Sequence, residues 1–140
     1  MSGEQPRETV TRYLDVLNEC GDFAPFFSAE VTFTLAGTDQ ETHGPRATEE
    51  LIRYFHETAF DASIEIRALF GDAWRVALEA DFVGTHIGEF QGIPATGNAV
   101  RVPYAVVYDV DGDRIAALRV YMPLNALVAQ ITTRAVSAQA

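Results

Sequence analysis

Residues 84–98 form the glycine-rich stretch GTHIGEFQGIPATGN, which has apolar, strand-like segments on both sides. Before it, residues 63–70 (SIEIRALF) and 73–83 (AWRVALEADFV) are joined by Gly71-Asp72, which predicts a tight hairpin. After it, residues 99–109 and 114–122 are joined by a turn around Asp111-Gly112, which predicts a second hairpin. The glycine-rich stretch therefore connects two hairpins, and four strands occupy most of the second half of the chain.

The first half of the chain predicts two amphipathic helices and one strand. Apolar residues recur at helical spacing between Pro6 and Cys20, and again in RATEELIRYFHETAF after Pro45. Between them, EVTFTLAG alternates apolar and threonine residues, and LNALVAQI near the end predicts a short helix. This order favours an α+β fold over alternating βαβ units. We expect one domain over residues 1–131 and a flexible tail over residues 132–140.

Composition and charge exclude several classes of function. The ten basic residues are all arginine, and twenty acidic residues bring the formal net charge to −10. Such a surface repels phosphate backbones and anionic lipids, so we expect no nucleic acid and no membrane partner, and a neutral or cationic small molecule stays open. Cys20 is the only cysteine and the N-terminus lacks an apolar leader, which favours a cytoplasmic location. His43, His56 and His86 match no metal-binding motif, and GxGxxG spacing is absent, so we expect no metal and no cofactor.

The strand at residues 73–83 predicts a sheet that needs cover on both faces. Its alternation places one apolar set on one side (Trp74, Val76, Leu78, Ala80, Phe82) and a mixed set on the other (Ala73, Arg75, Ala77, Glu79, Asp81). Helices can cover one face and a second subunit the other, so we predict a homodimer. The alternative is a monomer whose sheet is fully covered by its own helices.

Three segments resemble a known family. GTHIGEFQGIPATG closely resembles the GTHxGxxxGxPxTG signature of SnoaL-like polyketide cyclases, and RVYMPLNALVAQI is similar to their final RxYxDxxxLLxQL segment. RYLDVLNECGDFAPFFSAEVTFTLAG is similar to the first helix and strand of ketosteroid isomerases and of the wider nuclear transport factor two-like superfamily. The resemblance implies a cystatin-like α+β barrel, in which a cone-shaped, curved mixed sheet wraps round the N-terminal helices and encloses an apolar pocket.

The same comparison shows that three acidic groups are replaced. Pro123 stands where SnoaL-like cyclases and limonene-epoxide hydrolases have an aspartate. Leu35 falls at the general base of the ketosteroid isomerases, and Ala105 at their neutral carboxylic acid. None of these three side chains can exchange a proton.

The resemblance implies other polar candidates for chemistry: Tyr13 matches a pocket-lining tyrosine of the isomerases, and His86 stands in the GTH motif, where the family presents a histidine to the ligand. We expect Asp81 or Glu79 to remove a proton beside a carbonyl group, with a pKa raised by the apolar cone. His86, Tyr13 or Tyr121 would then donate a hydrogen bond to the enolate oxygen. The expected substrate-binding residues are Tyr13, Tyr54, Trp74, Tyr104, Arg119 and Tyr121. Because the resemblance implies that position 123 faces inward, strand alternation places Arg119 and Tyr121 on the pocket side as well. Arg119 is also expected to pair with Glu79 or Asp81.

Each candidate also has a structural interpretation. The tyrosines can be core residues, and His86 can tie the glycine-rich loop to the sheet. Asp81 and Glu79 can be solvated surface charges beside Arg75 or Arg101.

Three functions stay open at this point. The first is a cofactor-free cyclase or isomerase that acts on a hydrophobic, polyketide-like or carbonyl-containing compound by acid-base catalysis. The second is a non-catalytic protein that binds an apolar ligand, and the third is a cyclase that steers a pericyclic reaction by shape alone. An ionisable group in the pocket would favour the first function, and an entirely apolar pocket the other two.

Overall fold

The computed structural model describes residues 4–133 as three helices and six strands. These are α1 (Glu4–Asn18), β1 (Phe27–Leu35), β2 (Glu41–His43), α2 (Pro45–Arg53), β3 (Phe60–Gly71), β4 (Arg75–His86), β5 (Ala99–Asp111), β6 (Arg114–Tyr121) and α3 (Leu124–Thr132). A π-helical segment, Tyr54–Thr58, continues α2. The short β2 was not predicted from its turn-rich sequence. Of the predicted tail, Thr132 still belongs to α3, and residues 134–140 lie outside the described residues.

The strands form one mixed sheet in the order β2-β1-β6-β5-β4-β3. β1 runs parallel to β6, and all other neighbours are antiparallel. The register shifts between Ile66 and Ala68 in β3 and between Asp109 and Val110 in β5. Such irregularities bend strands and increase their twist. The predicted α+β class and mixed sheet are confirmed, and the sheet remains open at its edge strands β2 and β3.

Helices α1 and α2 pack on one side of the sheet, which we call the inner face. The apolar side of α1 is buried there through Val10, Tyr13, Leu14 and Leu17. The inner-facing strand residues alternate with outer ones along each strand, as in the β4 set Val76, Leu78, Ala80 and Phe82. The hydrophobic core therefore lies between the helices and the inner face. None of the helices in residues 4–133 is long and apolar enough to span a bilayer.

The glycine-rich stretch after β4 folds back against the end of the π-helical segment. The backbone N–H groups of Ile87 and Gly88 both donate to the Ala59 carbonyl, at 2.9 and 3.0 Å. A Cβ atom on Gly88 would stand 2.2 Å from the Thr58 carbonyl oxygen, so only glycine fits there. Phe90 anchors the loop by packing on Phe60, with ring centroids 5.2 Å apart. The loop therefore fixes the distance between β4 and the segment that follows α2.

The opposite side of β3–β6, which we call the outer face, exposes large apolar side chains. Phe70, Trp74 and Tyr121 are 53%, 50% and 49% exposed. This is the face that the predicted second subunit would have to cover.

Candidate functional site

An apolar cavity lies between the inner face and helices α1 and α2. It is lined by Tyr13, Leu17, Phe33, Leu35, Ile52, Phe55, His56, Ile64, Phe82, Tyr104, Val106, Tyr108, Leu118, Val120 and Met122. Its unfilled space, including the open mouth, is about 510 Å³. The cavity therefore opens to the surface and offers a ligand a mostly apolar lining.

Four polar side chains break the apolar lining, namely His56, Tyr13, Tyr104 and Tyr108. Within residues 4–133, the lining contains no aspartate, glutamate or arginine. An ionised ligand group buried there would meet no opposite charge, and burying an unpaired charge is costly. The lining therefore favours a neutral ligand with a small number of hydrogen-bonding groups.

His56 presents a basic nitrogen that has a fixed orientation. Its Nδ1 lies 3.1 Å from the Ala62 carbonyl oxygen, which can only accept, so Nδ1 carries the proton and donates. Nε2 of the neutral ring is then an acceptor. The ring also packs against Phe82, with centroids 5.2 Å apart. Burial lowers the pKa of His56, opposed by the Ala62 hydrogen bond and the charge of Glu57. His56 is therefore a neutral base at pH 7.

Three tyrosine hydroxyls supply neutral donors to the same cavity. Tyr13 comes from α1, and Tyr104 and Tyr108 come from β5. Their hydroxyls make no hydrogen bond with a described residue, and all three side chains line the cavity. Burial raises the pKa of each, and the neighbouring tyrosines raise the pKa values of Tyr13 and Tyr108 further. The three phenols therefore stay protonated and can donate to a ligand oxygen.

This arrangement can move a proton and stabilise the charge that results. One uncharged acceptor, His56 Nε2, and three uncharged donors share an otherwise apolar cavity. Donors that point at a developing oxyanion are worth more in such a low-dielectric site than in water.

The titration of His56 predicts a pH dependence of stability. Because burial holds its folded-state pKa below the unfolded value near 6.5, the unfolded chain binds more protons as pH falls through 6.5. The contribution of neutral His56 to the free energy of unfolding is therefore fully present above pH 6.5 and is lost as the pH falls below it. We expect the free energy of unfolding, measured in urea at pH 7.5 and 5.5, to fall less in His56→Asn than in the wild type. His43→Asn, at an exposed site, is the control and should behave as the wild type; equal losses in His56→Asn and the wild type would contradict the assignment.

Asp81 and Glu79 lie on the outer face, so the prediction that they act as the base in the pocket is corrected. The Asp81 carboxylate accepts hydrogen bonds from Arg67 at 2.9 and 2.8 Å and from Arg101 at 2.8 Å. These partners leave its side chain 3% exposed. The Arg67 hydrogen bonds hold the pKa of Asp81 below its usual value, the opposite of the predicted rise. Glu79 is exposed.

Arg119 and Tyr121 also lie away from the cavity, because the inward side chains near the end of the last strand are Leu118, Val120 and Met122. Trp74 precedes β4 and does not line the cavity either. Arg119 binds Asp109, at 2.8 and 3.1 Å, and not Glu79 or Asp81 as predicted. Tyr121 and Trp74 are half exposed. The expectation that these three bind substrate is corrected. For Arg119 and Tyr121 the cause is that Pro123, from which their side was inferred, does not line the cavity, whereas Met122 does.

Tyr54 and His86 have structural partners. The Tyr54 hydroxyl donates to the Glu89 carbonyl at 2.7 Å, and Tyr54 does not line the cavity. His86 is fully buried behind Phe60 and accepts the Thr96 N–H at Nδ1, at 3.1 Å. Its predicted contact with a ligand is corrected, and it ties the glycine-rich loop to the sheet. Its Nε2 is sealed and unpartnered within residues 4–133.

Of the predicted ligand-binding residues, Tyr13 and Tyr104 line the cavity, and two polar residues were missed. His56 is four residues after Ile52, which is the spacing of one helical face. Tyr108 shares the alternation of Val102, Tyr104 and Val106 in β5. The helical spacing of His56 and the strand alternation of Tyr108 can both be read from the sequence.

A profile of the SnoaL-like polyketide cyclase family matches residues 7–131, which is nearly the whole chain. The chain belongs to this family. No curated protein matches it significantly in sequence.

Solved structures of other proteins show the same fold. A candidate SnoaL-like polyketide cyclase from Jannaschia sp. CCS1 aligns with a TM-score of 0.84 at 19% identity, over 94% of both chains. IdmH, a candidate polyketide cyclase from Streptomyces antibioticus, aligns at 0.77 and 19% identity, over 92% of this chain and 99% of its own. AclR, a candidate hydroxylase from Streptomyces galilaeus, aligns at 0.76 and 18% identity, over 90% and 95%. At these identities the likeness establishes the fold alone.

Proposed function

We propose that this SnoaL-like protein binds a neutral, hydrophobic carbonyl compound in the cavity and transfers a proton at the carbon beside the carbonyl group. The observation that carries the proposal is the pairing of one free basic nitrogen, on His56, with three unpartnered phenol donors in an otherwise apolar lining. Cyclisation or isomerisation of a polyketide-like substrate is the corresponding reaction, and membership of the family supports it.

The reaction would proceed through an enolate. The carbonyl oxygen accepts hydrogen bonds from the tyrosines, which makes the neighbouring C–H more acidic. His56 Nε2 takes that proton, and the C–H bonding electrons move into the enolate, whose oxygen the phenols stabilise. For cyclisation, the enolate carbon bonds to the carbon of a second carbonyl group in the same molecule, whose C=O π electrons move to oxygen, and that oxygen takes the proton from His56. For isomerisation, a conjugated carbon of the enolate takes the proton back from His56 instead. Positioned acid-base groups typically contribute about 10²–10⁴-fold to such steps.

The uncharged lining predicts strong selection against anions. We expect 2-acetylnaphthalene to bind at least a hundredfold more tightly than 2-naphthoate, which has a similar shape but must lose the solvation of its carboxylate without a cation to replace it. Calorimetric titration of the full chain at pH 7.5 measures both. Equal affinities would contradict a neutral ligand class.

A second function, binding without chemistry, is favoured by one observation. The described part of the lining has no carboxylate, and Leu35 stands in the cavity at the position of the isomerase base. One measurement distinguishes the two functions. A protein that only binds a ketone does not accelerate the exchange of the ketone's α-protons, whereas the proposed enzyme does.

A further inference from the structure

His56 lies in the π-helical segment Tyr54–Thr58, which continues α2. The Ala59 N–H donates to the Tyr54 carbonyl at 2.7 Å, five residues back along the chain, whereas an α-helix bonds four residues back. Such π-helical turns are rare, and they occur frequently at functional sites. Contacts from outside the segment are therefore needed to keep it from adopting the commoner α-helical turn, and with it to keep His56 in place.

The glycine-rich loop holds the carboxyl end of this segment through its backbone. The Ile87 and Gly88 N–H groups both donate to the Ala59 carbonyl, at 2.9 and 3.0 Å. This close approach requires glycine, because a Cβ atom on Gly88 would stand 2.2 Å from the carbonyl oxygen of Thr58 and 3.2 Å from its carbonyl carbon. Thr58 is the last residue of the segment. Gly88→Ala would therefore push the loop and the segment apart.

The same loop holds the amino end of the segment through side chains. The Tyr54 hydroxyl donates to the Glu89 carbonyl at 2.7 Å. Phe90 of the loop packs against Phe55 with ring centroids 5.7 Å apart, and Phe55 packs against Tyr54 at the same separation. Phe55 lines the cavity beside His56, whereas Tyr54 does not. The loop therefore contacts the segment both before and after His56 in the chain.

The ring of His56 is held by one hydrogen bond of its own among the described residues. This bond joins Nδ1 to the Ala62 carbonyl, at 3.1 Å. Ala62 belongs to β3 and His56 to the π-helical segment, so the orientation of the ring depends on where the segment stands relative to the strand. A shift of a reacting group by about 1 Å can cost about a hundredfold in rate. A contact that fixes the segment therefore bears directly on proton transfer.

We propose that residues 87–90 of the glycine-rich loop position His56 for proton transfer, with Gly88 and the Tyr54 hydroxyl as the positioning residues. This inference rests on the proposed function, because it takes His56 as the base. Gly88 lets the loop reach one end of the segment, and Tyr54 fastens the other end. Neither residue lines the cavity. Their replacement should therefore lower the rate of proton transfer more than the affinity for the ketone.

Exchange of the α-protons of 2-tetralone, followed by proton NMR in deuterium oxide with the full chain, tests this role. We expect Gly88→Ala to lower kcat about tenfold or more and Tyr54→Phe about threefold or more, because both release the segment that carries the base. KM should change less than about twofold, since the three phenols lie on α1 and β5.

Two matched controls make the same substitutions where the segment is not touched. Gly92→Ala strains the same loop through its φ of 79°, but the added Cβ meets nothing within 4 Å. Tyr121→Phe removes a hydroxyl from the outer face of the sheet, away from the cavity. Both variants should exchange 2-tetralone at the wild-type rate.

Two further measurements separate the positioning of His56 from a general effect on the fold. Added to His56→Asn, Gly88→Ala should slow exchange no further, because the base that the loop positions is already gone. Heteronuclear NMR of the imidazole nitrogens gives a readout that does not depend on turnover. The wild type should show His56 with its proton on Nδ1 alone, and Gly88→Ala should show a mixture of both tautomers.

The outcomes distinguish this inference from the proposed function. If His56→Asn slows exchange but neither Gly88→Ala nor Tyr54→Phe does, the inference is overturned and the proposed function stands. The inference is also overturned if Gly88→Ala slows exchange as much in the His56→Asn background as in the wild type, or leaves a single tautomer. A wild type that does not accelerate exchange overturns the proposed function and the positioning role together. Circular dichroism shows whether each variant is folded, and Tyr54→Phe, which removes one hydroxyl from a partly exposed ring, keeps the test decisive if Gly88→Ala does not fold.

Discussion

Replacing His56 with asparagine is expected to slow the exchange of the α-protons of 2-tetralone by about 10²–10⁴-fold, because the variant removes the only strong proton acceptor in the described lining. Asparagine can still donate to the Ala62 carbonyl, so the segment that follows α2 keeps its anchor. The exchange is measured by proton NMR in deuterium oxide with the full chain. In the wild type, the rate should rise with pH and level off, with a midpoint below 6.5, because burial lowers the pKa of His56.

The controls separate base catalysis from binding. His43→Asn changes an exposed histidine and should exchange at the wild-type rate. Tyr104→Phe keeps the ring and removes one donor, and it should slow exchange about tenfold or more if that hydroxyl stabilises the enolate. Full activity in His56→Asn would place the base elsewhere. If the wild type binds 2-tetralone saturably but its α-protons exchange no faster than without protein, the catalytic function is contradicted and the binding function is supported.

Local patterns predicted most of the fold. Gly71-Asp72 and Asp111-Gly112 mark hairpins that depend only on neighbouring residues, and both hairpins form. The missed strand β2 has three residues and exists because it pairs with β1, which its own sequence does not show. The π-helical turn at Tyr54 is likewise set by packing of the glycine-rich loop against Ala59.

The candidate site was harder to predict because the pocket-facing side of the last strand was inferred from position 123, which is a proline here. That assignment placed Arg119 and Tyr121 in the pocket. The alternation in β4 already indicated which face of the sheet is buried, and it is not the face of Glu79 and Asp81. A strand whose even positions are all apolar from Val76 to Phe82 must bury that side, which places Glu79 and Asp81 outside. The orientation of His56 could not be predicted, because it depends on a carbonyl six residues later in β3.

Phe60→Ala is expected to lower the free energy of unfolding by about 3–5 kcal/mol, the usual cost of deleting a buried phenylalanine. Phe60 has no exposed surface and contacts three rings, two on β4 and one in the glycine-rich loop. Its centroid lies 5.4 Å from that of Phe82, and 5.2 Å from those of His86 and Phe90. No single neighbour can fill the space, because each is held by its own strand or loop.

Urea unfolding of the variant measures this cost, with Phe70→Ala as the matched control at a concentration where the chain is monomeric. Phe70 is 53% exposed, so the same substitution there should cost about 1 kcal/mol or less. The loss of Phe60 also removes support from Phe82, the ring against which His56 packs. We therefore expect the remaining folded protein to bind 2-acetylnaphthalene more weakly. Similar costs for the two variants would show that the aromatic contacts around Phe60 do not hold the loop and the cavity wall together.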